Sequence, residues 1–272
     1  CRPFIDIAGH LATMGLNSPR ILQADVDNGF LLLSDLGSVQ YLEAFEAGDA
    51  AEPLYNDALD ALLKMQTNGW EFQAGLPPYD EALLRFEMSL FHDWLCEKHL
   101  DLSFSGDDEL AWQATCDVLA DNALDQATVF VHRDYHSRNL MVTEHDHPGG
   151  LDFQDAVEGP YTYDLVSLIK DCYVKWPAEK IEAFAHDYFD KQTFEHDIGR
   201  FVRHYELMGV QRHLKAAGIF ARLLHRDGKS GYLKDVPRTL SYIVEVVPRY
   251  PELAALGQLI TERVLPSVGQ ES

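Results

Sequence analysis

The stretch that decides the fold runs Val131-His132-Arg133-Asp134-Tyr135-His136-Ser137-Arg138-Asn139-Leu140-Met141-Val142, and Leu151-Asp152-Phe153 follows it. Apolar residues flank a polar centre, the pattern of a loop between two short strands. Such a loop presents Asp134 and, five residues on, Asn139. The next hairpin returns Asp152, eighteen residues after Asp134, to the same end. Two carboxylates and one amide oxygen in a cleft form a hard-oxygen site suited to Mg²⁺. Magnesium seldom sits in an all-protein cage, so it would share this site with substrate phosphates. One carboxylate stays free to receive a hydroxyl proton. That is the equipment of phosphoryl transfer, where catalysis is mostly positioning and charge neutralisation.

The surrounding pattern is mainly helical. Phe4, Ile7, Ala8, Leu11 and Met14 recur at helical spacing until Gly15. Strands are expected over 20–24 and 30–33, joined through Asp27-Asn28-Gly29, a strong hairpin turn. Helices then run to about residue 124, with breaks at Pro53, Pro77-Pro78 and Ser105-Gly106. A small β island is expected over 128–131, 140–143 and 150–153, with helices again from Pro160 onward. This order gives an α+β class with two small β pieces and excludes an alternating βαβ array.

Charge is large and uneven. The chain has 272 residues with 44 acidic and 22 basic side chains, a net −22. Such acidity repels phosphate backbones and argues against nucleic-acid partners. Residues 1–131 hold 23 acids and 5 bases, whereas 200–238 hold nine Lys/Arg and three acids. Arg212, Lys215, Arg222 and Arg226 fall within one stripe about 80° wide on a continuous helix, although Gly218 threatens that continuity. Four scattered cysteines without a C-x-x-C pair point to a reduced, cytoplasmic setting. No apolar run of membrane-spanning length is present. Trp70, Trp94, Trp112 and Trp176 lie in helical patterns and read as core, with Trp176 beside Pro177 the candidate sugar platform. The spacing of His132 and His136 would suit zinc only on a helix, and this segment reads as a loop.

The His132-x-Asp134-x-x-x-x-Asn139 string followed by Asp152 resembles the catalytic set of the aminoglycoside phosphotransferase and choline kinase superfamily, relatives of protein kinases. The match by chance is expected in about one of forty chains of this composition. The resemblance implies a protein-kinase-like fold: residues 1–37 as the last part of the small lobe, and 38–272 as the helical large lobe carrying catalytic loop and substrate site. It implies ATP and Mg²⁺ as cofactors, with Ser34, Asp35, Leu36 and Gly37 at the hinge that holds adenine. Asp134 would be the catalytic base, Asn139 and Asp152 the metal ligands, and His132 a brace of the loop. Asp164 would hold the loop backbone from the next helix. Arg138, Arg212 and Lys215 would face phosphate or acceptor.

More narrowly, Asp152-Phe153-Gln154-Asp155-Ala156, Gly159-Pro160, Tyr163-Asp164-Leu165-Val166-Ser167-Leu168 and Gln211-Arg212-His213-Leu214-Lys215 resemble a subgroup. Its members phosphorylate the anomeric C1 hydroxyl of N-acetylmuramate and N-acetylglucosamine in peptidoglycan recycling. The partners implied are a nucleotide and a small amino sugar. Two alternatives stand beside this reading. One is an aminoglycoside kinase, against which the tail 265–272 lacks an acidic-aromatic ending and the 200–238 segment is basic. The other is a catalytically silent nucleotide-binding fragment. The strands that roof the nucleotide phosphates in this superfamily have no counterpart here, and the first lysine is Lys64. Residues are expected to precede Cys1, and this span alone is expected to turn over little ATP.

Overall fold

Arg2–Thr13 forms a helix that buries Ile7, Ala8 and Leu11. Gly15, at φ +76°, turns the chain out of it in the left-handed conformation that glycine adopts without penalty. Ile21–Asp25 and Phe30–Leu33 pair antiparallel, closed at Asp25 and Phe30. The carboxylate of Asp25 accepts bonds from the backbone and side-chain nitrogens of Asn28, at 3.2 and 2.9 Å, which fixes the turn between them. The computed structural model describes residues 1–48 and 51–268, so the last four residues of the 265–272 tail lie outside it. Contacts divide the chain into one unit of Cys1–Tyr79 with Ala127–Ile198 and another of Asp80–Gln126 with Gly199–Ser272. Residues 1–37 thus fold as part of a larger discontinuous unit. Among the described residues, no helix is long and apolar enough to cross a membrane.

The first unit is organised on Ala51–Asn68. Pro53 lies in its first turn, where a missing N–H costs nothing, and so marks a helix start and not the break read from sequence. This helix packs against the strand Thr128–Val131 and the helices Tyr163–Ile169 and Ala178–Lys191. Leu59, Leu62, Phe130, Phe153, Leu165 and Ile169 are fully buried there. One polar thread crosses this core. Gln66 donates to the Tyr161 carbonyl at 2.8 Å and accepts from the Tyr188 hydroxyl at 2.6 Å, so its buried amide is satisfied at both ends.

The β island differs from expectation in its pairing. Leu140–Met141 pairs with Gly149–Gly150, and the strand expected over 150–153 ends at Gly150. Asp152 therefore stands on a loop, at φ +63°, and not on a strand. Thr128–Val131 pairs instead with Val157–Pro160. A Val-Glu-Gly-Pro strand defies propensity, but Pro160 sits at the terminal pair with Thr128, where its missing donor interrupts nothing.

In the second unit, Glu81–Leu90 continues into the wide-turned π-helix Phe91–His99. Gly106–Leu124 follows, started by a Ser105 capping box, and Ile198–Asp227 runs unbroken for 30 residues. Gly218 does not interrupt that helix. A Cβ there would collide with the Leu90 carbonyl and the Phe91 nitrogen, where the neighbouring helix changes register. Close backbone approach, and not helix breaking, explains the glycine. Trp112 is buried, whereas Trp70 is 66% exposed and corrects its assignment to the core.

This geometry predicts an inverted glycine effect. At an exposed helical site Gly→Ala gains about 1 kcal/mol. Gly218→Ala is expected to lose about 2 kcal/mol or more through overpacking. The urea-unfolding midpoint of the variant checks the sign, and a higher midpoint would remove the close-approach explanation.

Candidate active site

The loop 132–139 leaves the buried strand Thr128–Val131 and re-enters the fold at Leu140–Met141. Its first two backbone amides, His132 and Arg133, donate to the two carboxylate oxygens of Asp164 at 2.7 and 3.0 Å. Asp164 is fully buried in the first turn of Tyr163–Ile169. Arg133 stands at φ +75°. A non-glycine residue there costs on the order of 1 kcal/mol, and the Asp164 bonds hold it in place. Tyr135 is anchored through its hydroxyl to the Ala58 carbonyl at 2.8 Å.

Beyond that bend the half-buried Asp134 and Asn139 come together. Asn139 Nδ2 donates to the Asp134 carbonyl at 3.0 Å and lies 3.5 Å from Asp152 Oδ2. The Leu151 amide donates to the Asn139 carbonyl at 2.9 Å, which carries the Leu140–Gly150 pairing one step further and fixes Asp152 beside Asn139. Asp152 Oδ1 also accepts from Gln154 Nε2 at 2.8 Å. Asn139 Nδ2 is engaged by the Asp134 backbone, and the Asn139 amide oxygen and the exposed Asp152 carboxylate are the hard-oxygen donors whose chemistry would suit Mg²⁺.

His132 is 2% exposed, its ring against Tyr135 and Phe153. Burial pushes its pKa down to about 4, against a smaller opposing pull from Asp134. The ring is therefore neutral near pH 7 and serves the loop by packing and by its backbone bond. Arg138 lies with its guanidinium 4.8 Å from the centre of the Tyr173 ring. His147 accepts at Nδ1 from the Thr143 amide at 3.2 Å.

Ser34, Asp35, Leu36 and Gly37 line an open cleft of about 910 Å³, together with Val142 to Asp146. Asp35 Oδ1 accepts from the Gly37 amide at 2.9 Å, and Gly37 takes φ +88°. The Ser34 and Arg20 backbones bond to each other, tying this segment to the preceding hairpin. Arg212 and Lys215 belong to the second unit. Lys215 Nζ is 2.8 Å from the Glu87 carboxylate, with both side chains largely buried, so a substrate role for Lys215 would compete with that pair. Arg212 is buried, not displayed on a solvated stripe.

Residues 1–202 match the family described as "Phosphotransferase enzyme family". The chain belongs to the phosphotransferase enzyme family. Among its relatives, the N-acetylmuramate/N-acetylglucosamine kinase of Pseudomonas aeruginosa is 49% identical over 265 residues, covering 96% of this chain and 77% of that protein. The protein of the same name from Pseudomonas putida is 48% identical over 267 residues, covering 96% and 78%. The crystal structure of choline kinase LicA from Streptococcus pneumoniae superposes with a TM-score of 0.63 at 13% identity, over 90% of this chain and 80% of that one. The last likeness shows the fold alone, and it bears out the expected α+β, kinase-like class of this phosphotransferase.

Sequence reasoning missed Asp171 and Gln154. Gln154 bonds the Asp152 carboxylate. Asp171 stands seven residues after Asp164, past the end of the helix at Ile169, so helical spacing carries no signal for it.

The buried His132 ring sets a pH dependence of stability for this phosphotransferase. Its folded pKa, about 4, lies below the unfolded value near 6.5. The contribution is thus fully present above pH 6.5 and is lost as pH falls toward 4. Between pH 7 and pH 5 the wild type is expected to lose about 2 kcal/mol more than His132→Phe. Urea unfolding at the two pH values measures this, and equal losses would place the proton uptake elsewhere.

Proposed function

We propose that this phosphotransferase moves the γ-phosphoryl group of ATP to the anomeric C1 hydroxyl of N-acetylmuramate and N-acetylglucosamine, in the cytoplasm, as a step of peptidoglycan recycling. The observation that carries the chemistry is the meeting of Asp134, Asn139 and Asp152 on two adjoining loops. The sugar assignment is supported by the relatives of that name at 49% and 48% identity.

In this reading the adenine lies in the cleft beside Ser34 to Gly37. Asn139 and Asp152 would hold Mg²⁺, which would supply positive charge against the phosphates of the nucleotide. Asp134 accepts a hydrogen bond from the sugar hydroxyl and orients its oxygen at the γ-phosphorus. As the new P–O bond forms, the bond to the β-phosphate oxygen breaks, ADP leaves, and the hydroxyl proton passes to the Asp134 carboxylate. Arg138, held over Tyr173, presents a cation to the transferred phosphate. His132 and Asp164 keep the loop in shape and touch neither substrate.

Asp134→Asn is expected to lower kcat by at least ~10³, on the order of 4 kcal/mol of transition-state stabilisation, with the KM for ATP little changed. A radiolabelled-phosphate assay offering N-acetylmuramate, N-acetylglucosamine and kanamycin side by side tests the acceptor. Labelling of the two sugars is the expected result. Labelling of kanamycin alone, or a full sugar-kinase rate in Asp134→Asn, would refute the reading.

A further inference from the structure

The helix Tyr163–Ile169 carries Asp164 in its first turn, and Asp171 follows just past its other end. Asp171 is 1% exposed. Its Oδ2 accepts from both the amide and the hydroxyl of Ser137, at 2.9 and 2.6 Å. Its Oδ1 accepts from the Tyr173 amide at 2.9 Å. The Tyr173 ring in turn lies 5.4 Å from the His136 ring and 4.8 Å from the Arg138 guanidinium carbon. Residues 136–138, the three that precede Asn139, are therefore each met by Asp171 or by the tyrosine it fixes.

A buried carboxylate is unfavourable unless donors surround it, and here three donors from two segments do so. Neither proton transfer nor metal binding uses it. We propose that Asp171 is a positioning residue, which through Ser137 fixes the second half of the catalytic loop and so sets where Asn139 and Arg138 stand. Asp164 fixes the first half, and one short helix thus controls both ends. The proposal rests on the phosphotransfer reading for its kinetic consequence but not for its structural one.

The test uses Asp171→Asn, Ser137→Ala and the double variant in the full chain. The kcat for N-acetylmuramate is expected to fall about 100-fold in Asp171→Asn and about 10-fold in Ser137→Ala, with both KM values within about threefold. The double variant should be no slower than Asp171→Asn, because the two residues share one interaction. In parallel, amide exchange over 132–141 should quicken at least about tenfold in Asp171→Asn, while 128–131 stays protected. Unchanged kcat in both single variants, multiplying losses in the double variant, or unchanged exchange over 132–141 would each overturn the proposal. The exchange measurement needs no substrate. A wild type without sugar turnover but with a loop released by Asp171→Asn would overturn the acceptor assignment and leave the brace standing. Should Asp171→Asn fail to fold, Ser137→Ala carries the same kinetic and exchange readouts.

Discussion

Two backbone amides bonded to one buried carboxylate hold this site together. His132 and Arg133 donate to Asp164, and everything downstream depends on the bend they make. Arg133 is left-handed there, a conformation an L-residue does not keep unaided. Removing the carboxylate would leave two buried donors unpaired, at about 1–3 kcal/mol each, and would release the strain as well. The loop would then take other shapes, and Asp134 and Asn139 would no longer meet. Phosphoryl transfer gains most from position, so a few kcal/mol of local order becomes a rate.

Asp152 follows the same logic from the other side. It too is left-handed without being glycine, and it sits between the two-residue strand ending at Gly150 and the buried Phe153. A regular strand would have alternated its side chains and set Asp152 by the pleat alone. Ending the strand early frees the chain to aim that carboxylate at Asn139, with Gln154 steadying the other oxygen. Strain concentrated at two residues of a site, with rigid elements around them, is what preorganisation looks like in backbone terms.

Much of this was legible in the sequence, and the reasons are local. The loop was readable because its polar residues are fixed in spacing by the chemistry and its flanks by strand propensity. The hairpin at Asp27-Asn28-Gly29 was readable from turn chemistry. The Val157–Pro160 strand was not, because its pairing is imposed from outside by Thr128–Val131. Gly218 and Pro53 misled for the same reason: a residue's intrinsic preference says nothing of the backbone that approaches it or of which turn it occupies. Asp171 escaped notice because its partner, Ser137, lies 34 residues earlier and carries no signal of its own. Arg212 and Lys215 were read as a displayed stripe, yet helical phase alone cannot tell a solvated face from a buried one.

The buried Lys215–Glu87 pair bears on how this chain can change over generations. Loss of either partner strands an uncompensated charge, at about 3–5 kcal/mol, whereas apolar replacement of both is often neutral or stabilising. The two positions are separated by a valley that single substitutions cannot cross cheaply. The pair therefore acts as a historical lock: Glu87 and Lys215 must change together or not at all, and Gln211, whose amide also donates to Glu87, is tied to the same choice.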